Sequence, residues 1–283
     1  MTHRRRIPLE EILSAALPAI AWGTPTHGVW LTSAGQADWE LEPEGGGYWL
    51  VLSGATKAAQ TLADLFQVSR DWAWPLKVAC REPGAAVSWC AEIRLLGAQG
   101  EVAGLERLVC LLERRLSRGD VPGAAAAVNE PIDATHVTAD EDLLLRALGD
   151  SLKRTSQGFR LPVENGPALA ITSHEGGWVF RTALVRHSAP VPAPVLASLY
   201  DFLAVTNRRV RGCRAIGARA ETDTLAELET RVAANGLTES AIQSAAAFFT
   251  HVARLVAPAC EVLVGQPRIG AFYRDVLALA QAV

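Results

Sequence analysis

A nine-residue segment of this chain occurs twice, and this repetition constrains the fold more than any other feature of the sequence. "LADLFQVSR" (residues 62–70) returns 137 positions later as "LYDFLAVTN" (199–207), with Leu, Asp, two large apolar residues, Val and a small hydroxyl residue in the same places. The same offset places Glu92 on Glu229 and Arg94 on Arg231. We therefore interpret the chain as two copies of one unit, that is, as tandem domains rather than a solenoid of short repeats.

The chain length is consistent with two domains of ordinary size, since the sequence has 283 residues. We expect the first unit at residues 1–118 and the second at residues 140–283. Residues 119–139 are rich in Gly, Ala, Pro and Asp, which is typical of a linker.

Each unit shows the same succession of patterns. An apolar helical stripe with acidic residues at its start, "EEILSAAL" or "EDLLLRAL", precedes short alternating segments separated by glycine turns, and the repeated helix follows them. A strand pattern and an apolar helix close the unit; "TLAELETRVA" fits either a strand or a helix, and Thr238 with Glu239 is expected to begin the last helix. The predicted fold class is α+β, with two tandem α-β-β-β-α-β-β-α units in which an antiparallel sheet packs on helices.

The segments that follow the repeated helix differ between the copies. "RDWAWPLK" places two tryptophans on the same side of an extended segment, which indicates either an exposed apolar patch or core packing. "TNRRVRGCR" concentrates arginines up to Arg214, which fits a solvated strand edge or a site for an acidic partner. Trp49 and Trp178 are assigned to the core, whereas Trp30 and Trp39 lie in alternating strands and fit either face, with the core favoured. The candidate partner-binding residues are Trp72, Trp74, Arg208, Arg209 and Arg211.

Several classes of function are disfavoured by the sequence. A net charge of −3 and a pI near 6.1 give no general attraction to nucleic acid or anionic lipid. Phosphate-binding glycine loops, nucleophile elbows and His-Glu-x-x-His motifs are absent from the sequence, and His174 with Glu175 reads as a solvated turn rather than an acid–base pair. The five widely spaced cysteines indicate reduced, buried thiols rather than zinc ligands or disulfides. No uninterrupted apolar run is long enough for a membrane span.

The two segments "YWLVLSG" with "LADLFQVSR", and "WVFRTALV" with "LYDFLAVTN", together with the element order, resemble the class I type III secretion chaperones (CesT-like) and the related YbjN-like proteins. The resemblance spans nearly the whole chain in two copies. It implies that each unit is an α+β sandwich and that the two units form a pseudo-dimer within one chain. It also implies a bacterial, non-catalytic protein that holds an extended segment of a client on apolar grooves.

We therefore expect a cytoplasmic, non-enzymatic, chaperone-like adaptor, a monomeric pseudo-dimer that binds a client segment or a complex subunit. We expect no cofactor, no metal, no nucleic acid and no membrane as partners. The alternative is an enzyme or small-molecule binder with a site between the two units, and a third interpretation is a structural subunit of a larger assembly. A deep pocket with converging His, Asp or Arg side chains would favour the alternative, whereas a shallow apolar groove would favour the adaptor.

Overall fold

The chain folds into a mixed α and β structure with two antiparallel sheets, in agreement with the predicted α+β class. The computed structural model describes residues 20–22, 27–32, 35–44, 47–55, 62–71, 74, 76–80, 88–95, 140–164, 166–174, 176–217, 223–234, 237–266 and 268–269.

The described residues of the first half form one six-stranded sheet and one short helix. Its sheet has the strand order β1-β2-β3-β4-β6-β5, and the helix connects β4 to β5. Trp39 on β3 and Leu50 on β4 are buried, as the alternating pattern predicts for the covered face. The elements are β1 (Ile20–Trp22), β2 (His27–Thr32), β3 (Gly35–Glu44), β4 (Gly47–Ala55), α1 (Leu62–Val68), β5 (Lys77–Ala79) and β6 (Ser88–Leu95), with a 3-10 turn at Ser69–Asp71 after α1.

In the second half, the part of the chain that the structure describes forms the other six-stranded sheet and three helices. Its elements are α2 (Glu141–Leu148), β7 (Lys153–Thr155), β8 (Gly158–Leu161), β9 (Leu169–His174), β10 (Gly177–Arg186), α3 (Ala193–Arg209), β11 (Arg214–Gly217), β12 (Thr224–Val232) and α4 (Glu239–Gly265). Its sheet has the order β7-β8-β9-β10-β12-β11. Counted along the chain, the strands of the two sheets are therefore arranged in the same order, and in both halves a helix joins the fourth strand to the fifth.

The observed element order differs from the predicted order by one strand in each half. The strands β1 and β7 were not predicted, because three residues are too few to show a periodic pattern. The ambiguous "TLAELETRVA" is the strand β12, and α2 matches the predicted helix at 141–148. The apolar stripes of the predicted opening helices were expected to reach Ile20 and Leu152, but Ile20 begins β1 and Leu152 follows the 3-10 turn after α2. Residues 10–17 of the first of these helices, the helix predicted at 101–118 and the linker at 119–139 lie outside the described residues.

Two of the three described helices of the second half, α2 and α4, begin at residues whose side chains cap them, whereas Pro192 precedes α3 without a side-chain cap. Asp140 accepts a hydrogen bond from the backbone N–H of Leu143 at the start of α2, and the hydroxyl of Thr238 accepts one from Ala241 at the start of α4. Glu239 lies in the first turn of α4, as predicted, where the helix dipole favours a negative charge.

The buried apolar residues of the two halves belong to one continuous core. The ring of Phe66 on α1 stacks on the ring of Tyr200 on α3, with centroids 4.9 Å apart and planes 9° from parallel. Trp39 and Trp178 are buried, as predicted, whereas Trp49 is only half-buried. The side chain of Trp30 lies outside the described part of the chain. The halves are thus packed against each other through apolar side chains.

The long helix α4 packs one side on the second sheet, where Phe249 meets Phe180 with ring centroids 6.5 Å apart. By length and mean hydropathy, 1.5 over its most apolar window, this helix alone among the described ones could also cross a membrane, and 44% of that window is buried. The search for uninterrupted apolar runs did not detect it, because Arg254 and Glu261 interrupt the run. Core helices of soluble proteins have the same length and composition.

Candidate functional site

Lys77 is a buried cation at the junction between the two halves. Its Nζ donates hydrogen bonds to Oε1 of Glu92 at 2.7 Å, to the carbonyl of Val210 at 2.9 Å and to the carbonyl of Cys213 at 3.3 Å. These three acceptors match the three protons of an ammonium group. Glu92 belongs to the first half and both carbonyls to the second, so this one side chain ties the halves together.

The carboxylate of Glu92 also binds polar groups of the second half. The backbone N–H of Gly212 donates to Oε1 at 2.8 Å, and Nη1 of Arg211 lies 3.1 Å from Oε2. Gly212 has a φ of 73°, the left-handed conformation that favours glycine. The loop between α3 and β11 can therefore turn its backbone N–H toward the buried carboxylate of the first half.

A second buried ion pair lies in the second half. Arg214 and Glu229 are fully buried, and Nη2 of Arg214 lies 2.9 Å from Oε1 of Glu229. Arg181 and Arg231 also contact this carboxylate, at 2.6 Å and 3.1 Å. Burial alone would raise the pKa of Glu229, but the charges of Arg214, Arg231 and Arg181 outweigh burial and lower the pKa to about 2. Burial lowers the pKa of Arg214 to about 10, so both groups are charged at neutral pH.

The two buried cations make equivalent contacts across the junction. The 137-residue offset of the repeat places Lys77 on Arg214 and Leu76 on Cys213. Lys77 donates to the carbonyl of Cys213, and Nη1 of Arg214 donates to the carbonyl of Leu76 at 2.7 Å. Each half therefore donates from its buried cation to the corresponding carbonyl of the other half.

The amide of Asn207 bridges another pair of equivalent positions. Its Nδ2 donates to the carbonyl of Val78 at 2.8 Å and to the carbonyl of Ala215 at 2.9 Å, and the repeat offset places these two residues on each other. Its Oδ1 accepts from the backbone N–H of Ala215 at 2.6 Å. Asn207 thus joins the first strand after the repeated helix in one half to its counterpart in the other.

The strand registers of the two ion pairs differ. Lys77 lies opposite Cys90 in the β5–β6 pair, so Glu92 is two residues further along the same face of β6. Arg214 lies directly opposite Glu229 in the β11–β12 pair. In both halves a cation contacts a carboxylate on the same face of two paired strands. The register of the strand pairing differs by two residues between the halves.

The predicted tryptophan site is only partly described. Trp74 is half-buried, and the guanidinium groups of Arg214 and Arg231 lie 5.6 Å and 5.8 Å from the centroid of its ring. The structure thus brings this first-half tryptophan onto the charged face of the second sheet. Trp72 lies outside the described residues.

The predicted arginine site lies at the end of α3 and in the loop after it. Arg208 forms an ion pair with Glu40 at 2.8 Å, Arg211 pairs with Glu92, and Arg209 is exposed. The carboxylates that Arg208 and Arg211 meet belong to this same chain. The interpretation of this segment as a solvated strand edge is wrong for Arg214, which is fully buried because Glu229 compensates its charge.

The sequence contained a signal for the ion pairs that we did not use. Glu92 and Glu229 coincide in the repeat, and each lies within the strand pattern that follows the repeated helix. An acid at such a position in both copies indicates a compensated buried charge. Glu92 and Glu229 entered the prediction only as part of the repeat, and Lys77 is not among the predicted site residues.

A shallow, open cleft of about 380 Å³ lies on the surface of the second half. The exposed side chains of His251 and Arg254 line it, and a guanidinium nitrogen of Arg254 donates to the carbonyl of Glu164. The cleft thus lies beside α4 rather than between the halves, and its other lining residues are Leu161, Ala246, Ala247 and Thr250. Across the described ranges, His, Cys, Asp and Glu do not form a group of three that could hold a metal ion.

Three large apolar side chains on α4 are exposed and form a line, which we call the α4 stripe. Phe248 is 41% exposed, Leu255 64% and Val262 40%. They are spaced seven residues apart, which places them on one side of a helix over about 21 Å. The exposed residues Arg254 and Glu261 precede Leu255 and Val262 and flank the stripe on the side of the cleft.

The fold and the junction therefore define an α+β protein whose two antiparallel sheets share an apolar core and are joined by hydrogen bonds from buried, ion-paired side chains. No family model and no curated protein matches the chain.

Proposed function

We propose that the chain consists of two equivalent units related by an approximate two-fold axis, a pseudo-dimer in one polypeptide. The support is the common strand order of the two sheets and the exchange of equivalent hydrogen bonds by Lys77 and Arg214. Reciprocal contacts, in which one residue meets a second and their counterparts meet in turn, are characteristic of two-fold interfaces.

We propose further that the protein is a non-enzymatic, chaperone-like adaptor that holds a partner polypeptide. The observation that carries this proposal is the α4 stripe, Phe248, Leu255 and Val262. Contiguous exposed apolar side chains mark interaction surfaces, because exposing them to water is unfavourable unless a partner covers them. The stripe lies next to the cleft beside His251 and Arg254, which adds polar groups at its rim.

The buried ionisable groups support a structural role rather than a catalytic one. Lys77, Glu92, Arg214 and Glu229 are buried, and each makes several contacts inside the chain. A catalytic acid or base must reach a substrate, and these groups contact only other parts of the protein. The alternative of an enzyme or small-molecule binder with a site between the units has less support, because the cleft described above lies beside α4 rather than between the halves.

The experiment that tests the proposal is photo-crosslinking in the native cell. A photoreactive phenylalanine analogue replaces Leu255 in one variant and Leu145, an exposed leucine of α2 outside the stripe, in the other. We expect a crosslinked protein at position 255 that is absent at 145 and is lost when Phe248→Glu is added. Equal crosslinking at both positions, or none at either, would overturn the proposal. The same experiment with Trp74→Ala and with Arg209→Glu measures whether the predicted partner-binding residues contribute.

A further inference from the structure

We infer that, in the purified protein, the α4 stripe pairs with α4 of a second copy of this chain, and that the two helices run antiparallel. The inference rests on the proposed function, since it takes the same face as an interaction surface. It goes further by naming what covers this face when no other partner is present. The seven-residue spacing of the stripe is the spacing with which two helices pack along a shared seam.

Two residues of the stripe find complementary shapes in such a pair, and the third, Val262, lies against His251 of the second copy. Besides the stripe, the exposed residues on this side of α4 include Pro258 and Gly265. An antiparallel pair with its two-fold axis between Val256 and Ala257 places Leu255 against Pro258 of the second copy and Phe248 against Gly265 of the second copy. A Cβ atom added at Gly265 would meet nothing within 4 Å, so the space for a Phe ring exists there.

The charges beside the stripe select this register. Arg254 and Glu261 lie on the same flank, seven residues apart, and both are exposed. In the proposed register Arg254 of each copy lies beside Glu261 of the other, which gives two equivalent ion pairs. In the alternative register with Leu255 against Leu255, the two Arg254 side chains would approach each other and repel.

The structure of the face also disfavours other occupants. The backbone N–H and C=O groups inside a helix are already paired, so α4 offers an extended client segment no backbone hydrogen bonds. A helix lying on a membrane has a broad apolar face and basic residues opposite to it. Here the apolar stripe is flanked directly by Arg254 and Glu261, and the opposite side of α4 packs on its own sheet.

Sedimentation of the purified full-length chain tests the pairing. We expect a reversible monomer–dimer equilibrium between about 1 µM and 500 µM, a range suited to a small helix–helix interface. Leu255→Glu is expected to weaken dimerisation at least tenfold, because it places a charge in the centre of the seam. Leu145→Glu, a matched change at an exposed leucine outside the stripe, is expected to leave it unchanged.

A charge exchange tests the register. Glu261→Arg alone is expected to weaken dimerisation about fivefold or more, since it leaves two arginines side by side. The double variant Arg254→Glu with Glu261→Arg is expected to restore association to near the wild-type level. Near-ultraviolet circular dichroism of the buried tryptophans verifies that each variant is folded.

The outcomes separate this inference from the proposed function. A monomer at every concentration, or a dimer that Leu255→Glu leaves intact, overturns the pairing, and a double variant that fails to recover overturns the register. Flotation of the protein with phosphatidylcholine vesicles that depends on Leu255 would assign the face to a membrane instead. If the purified chain is monomeric but position 255 still crosslinks another protein in cells, the proposed function stands and the self-pairing falls.

Discussion

The Nζ of Lys77 lies 2.7 Å from Oε1 of Glu92, and both side chains are closed off from solvent where the two halves meet. Burying a charged pair removes it from water at considerable cost, so removing only one partner leaves the other charge uncompensated. The stability of the whole chain therefore depends on this contact more than on its exposed ion pairs.

Lys77→Met is expected to lower the free energy of unfolding by about 3 to 5 kcal/mol, because Glu92 stays buried without its cation. The measurement is equilibrium unfolding in urea. Glu141→Gln serves as the control, since it breaks the Arg154–Glu141 pair, whose side chains are 66% and 47% exposed. That change is expected to cost less than about 1 kcal/mol. Similar losses in the two variants would contradict the structural role of Lys77.

The titration of Glu229 is expected to make the free energy of unfolding depend on pH in the acid range. Its folded-state pKa of about 2 lies below the ordinary value of 4.5, so the stabilisation that it contributes is complete above 4.5 and is lost as the pH falls through about 2. Glu229→Gln removes this contribution, about 3 kcal/mol, already at neutral pH. The difference in unfolding free energy between the wild type and this variant is expected to shrink as the pH falls from 4.5 towards 2. A difference that is constant over this range would show that Glu229 titrates normally.

Asn207→Leu is expected to lower the unfolding free energy by about 3 kcal/mol or more, because it leaves the carbonyls of Val78 and Ala215 and the N–H of Ala215 without their partner. The neighbouring Thr206→Val removes only a hydroxyl that bonds within α3, to the carbonyl of Phe202, and is expected to cost less than about 1 kcal/mol. The measurement is the melting temperature of each variant in thermal unfolding. Equal melting temperatures for the two variants would count against the bridging role of Asn207.

The described cysteines are expected to react slowly with a disulfide reagent. Burial raises the pKa of Cys80, Cys213 and Cys260 to about 12 and that of Cys90 to about 11, so little thiolate exists at mildly alkaline pH. Cys110 lies outside the described residues, so the native protein is expected to show at most one rapidly reacting thiol. All five are expected to react in guanidinium chloride. Two or more fast thiols in the native state would contradict their burial.

Much of the fold could be predicted from local patterns and from the repeat. The alternating segments became strands, and the position of Thr238 marked the start of α4. The strands β1 and β7 could not be predicted, because three-residue strands exist only through pairing with a neighbour. The sequence also could not predict that Trp49 is half-buried, since the repeat aligns it with Trp178 but does not show which residues pack on it.

The site was less predictable, because burial of a charge depends on contacts between distant segments. Nothing local to Arg214 shows that Glu229 lies opposite it, so its arginine-rich segment was interpreted as solvated. The repeat aligns Glu92 with Glu229, yet it cannot reveal that the two strand registers differ by two residues. The seven-residue spacing of the α4 stripe is visible in the sequence, but the packing of α4 on β10 decides which side of the helix faces solvent.

The carboxylate of Glu92 accepts a hydrogen bond from the backbone N–H of Gly212, 120 residues further along the chain. The carbonyl of Leu76 accepts one from the guanidinium of Arg214, 138 residues away. Each half thus carries buried polar groups that are partly paired by the other half. During evolution these positions must change in concert, whereas the outer surfaces can diverge separately. A chimera that joins one half of this chain to the other half of a distant relative would therefore bring together a buried acid and a loop that no longer fit.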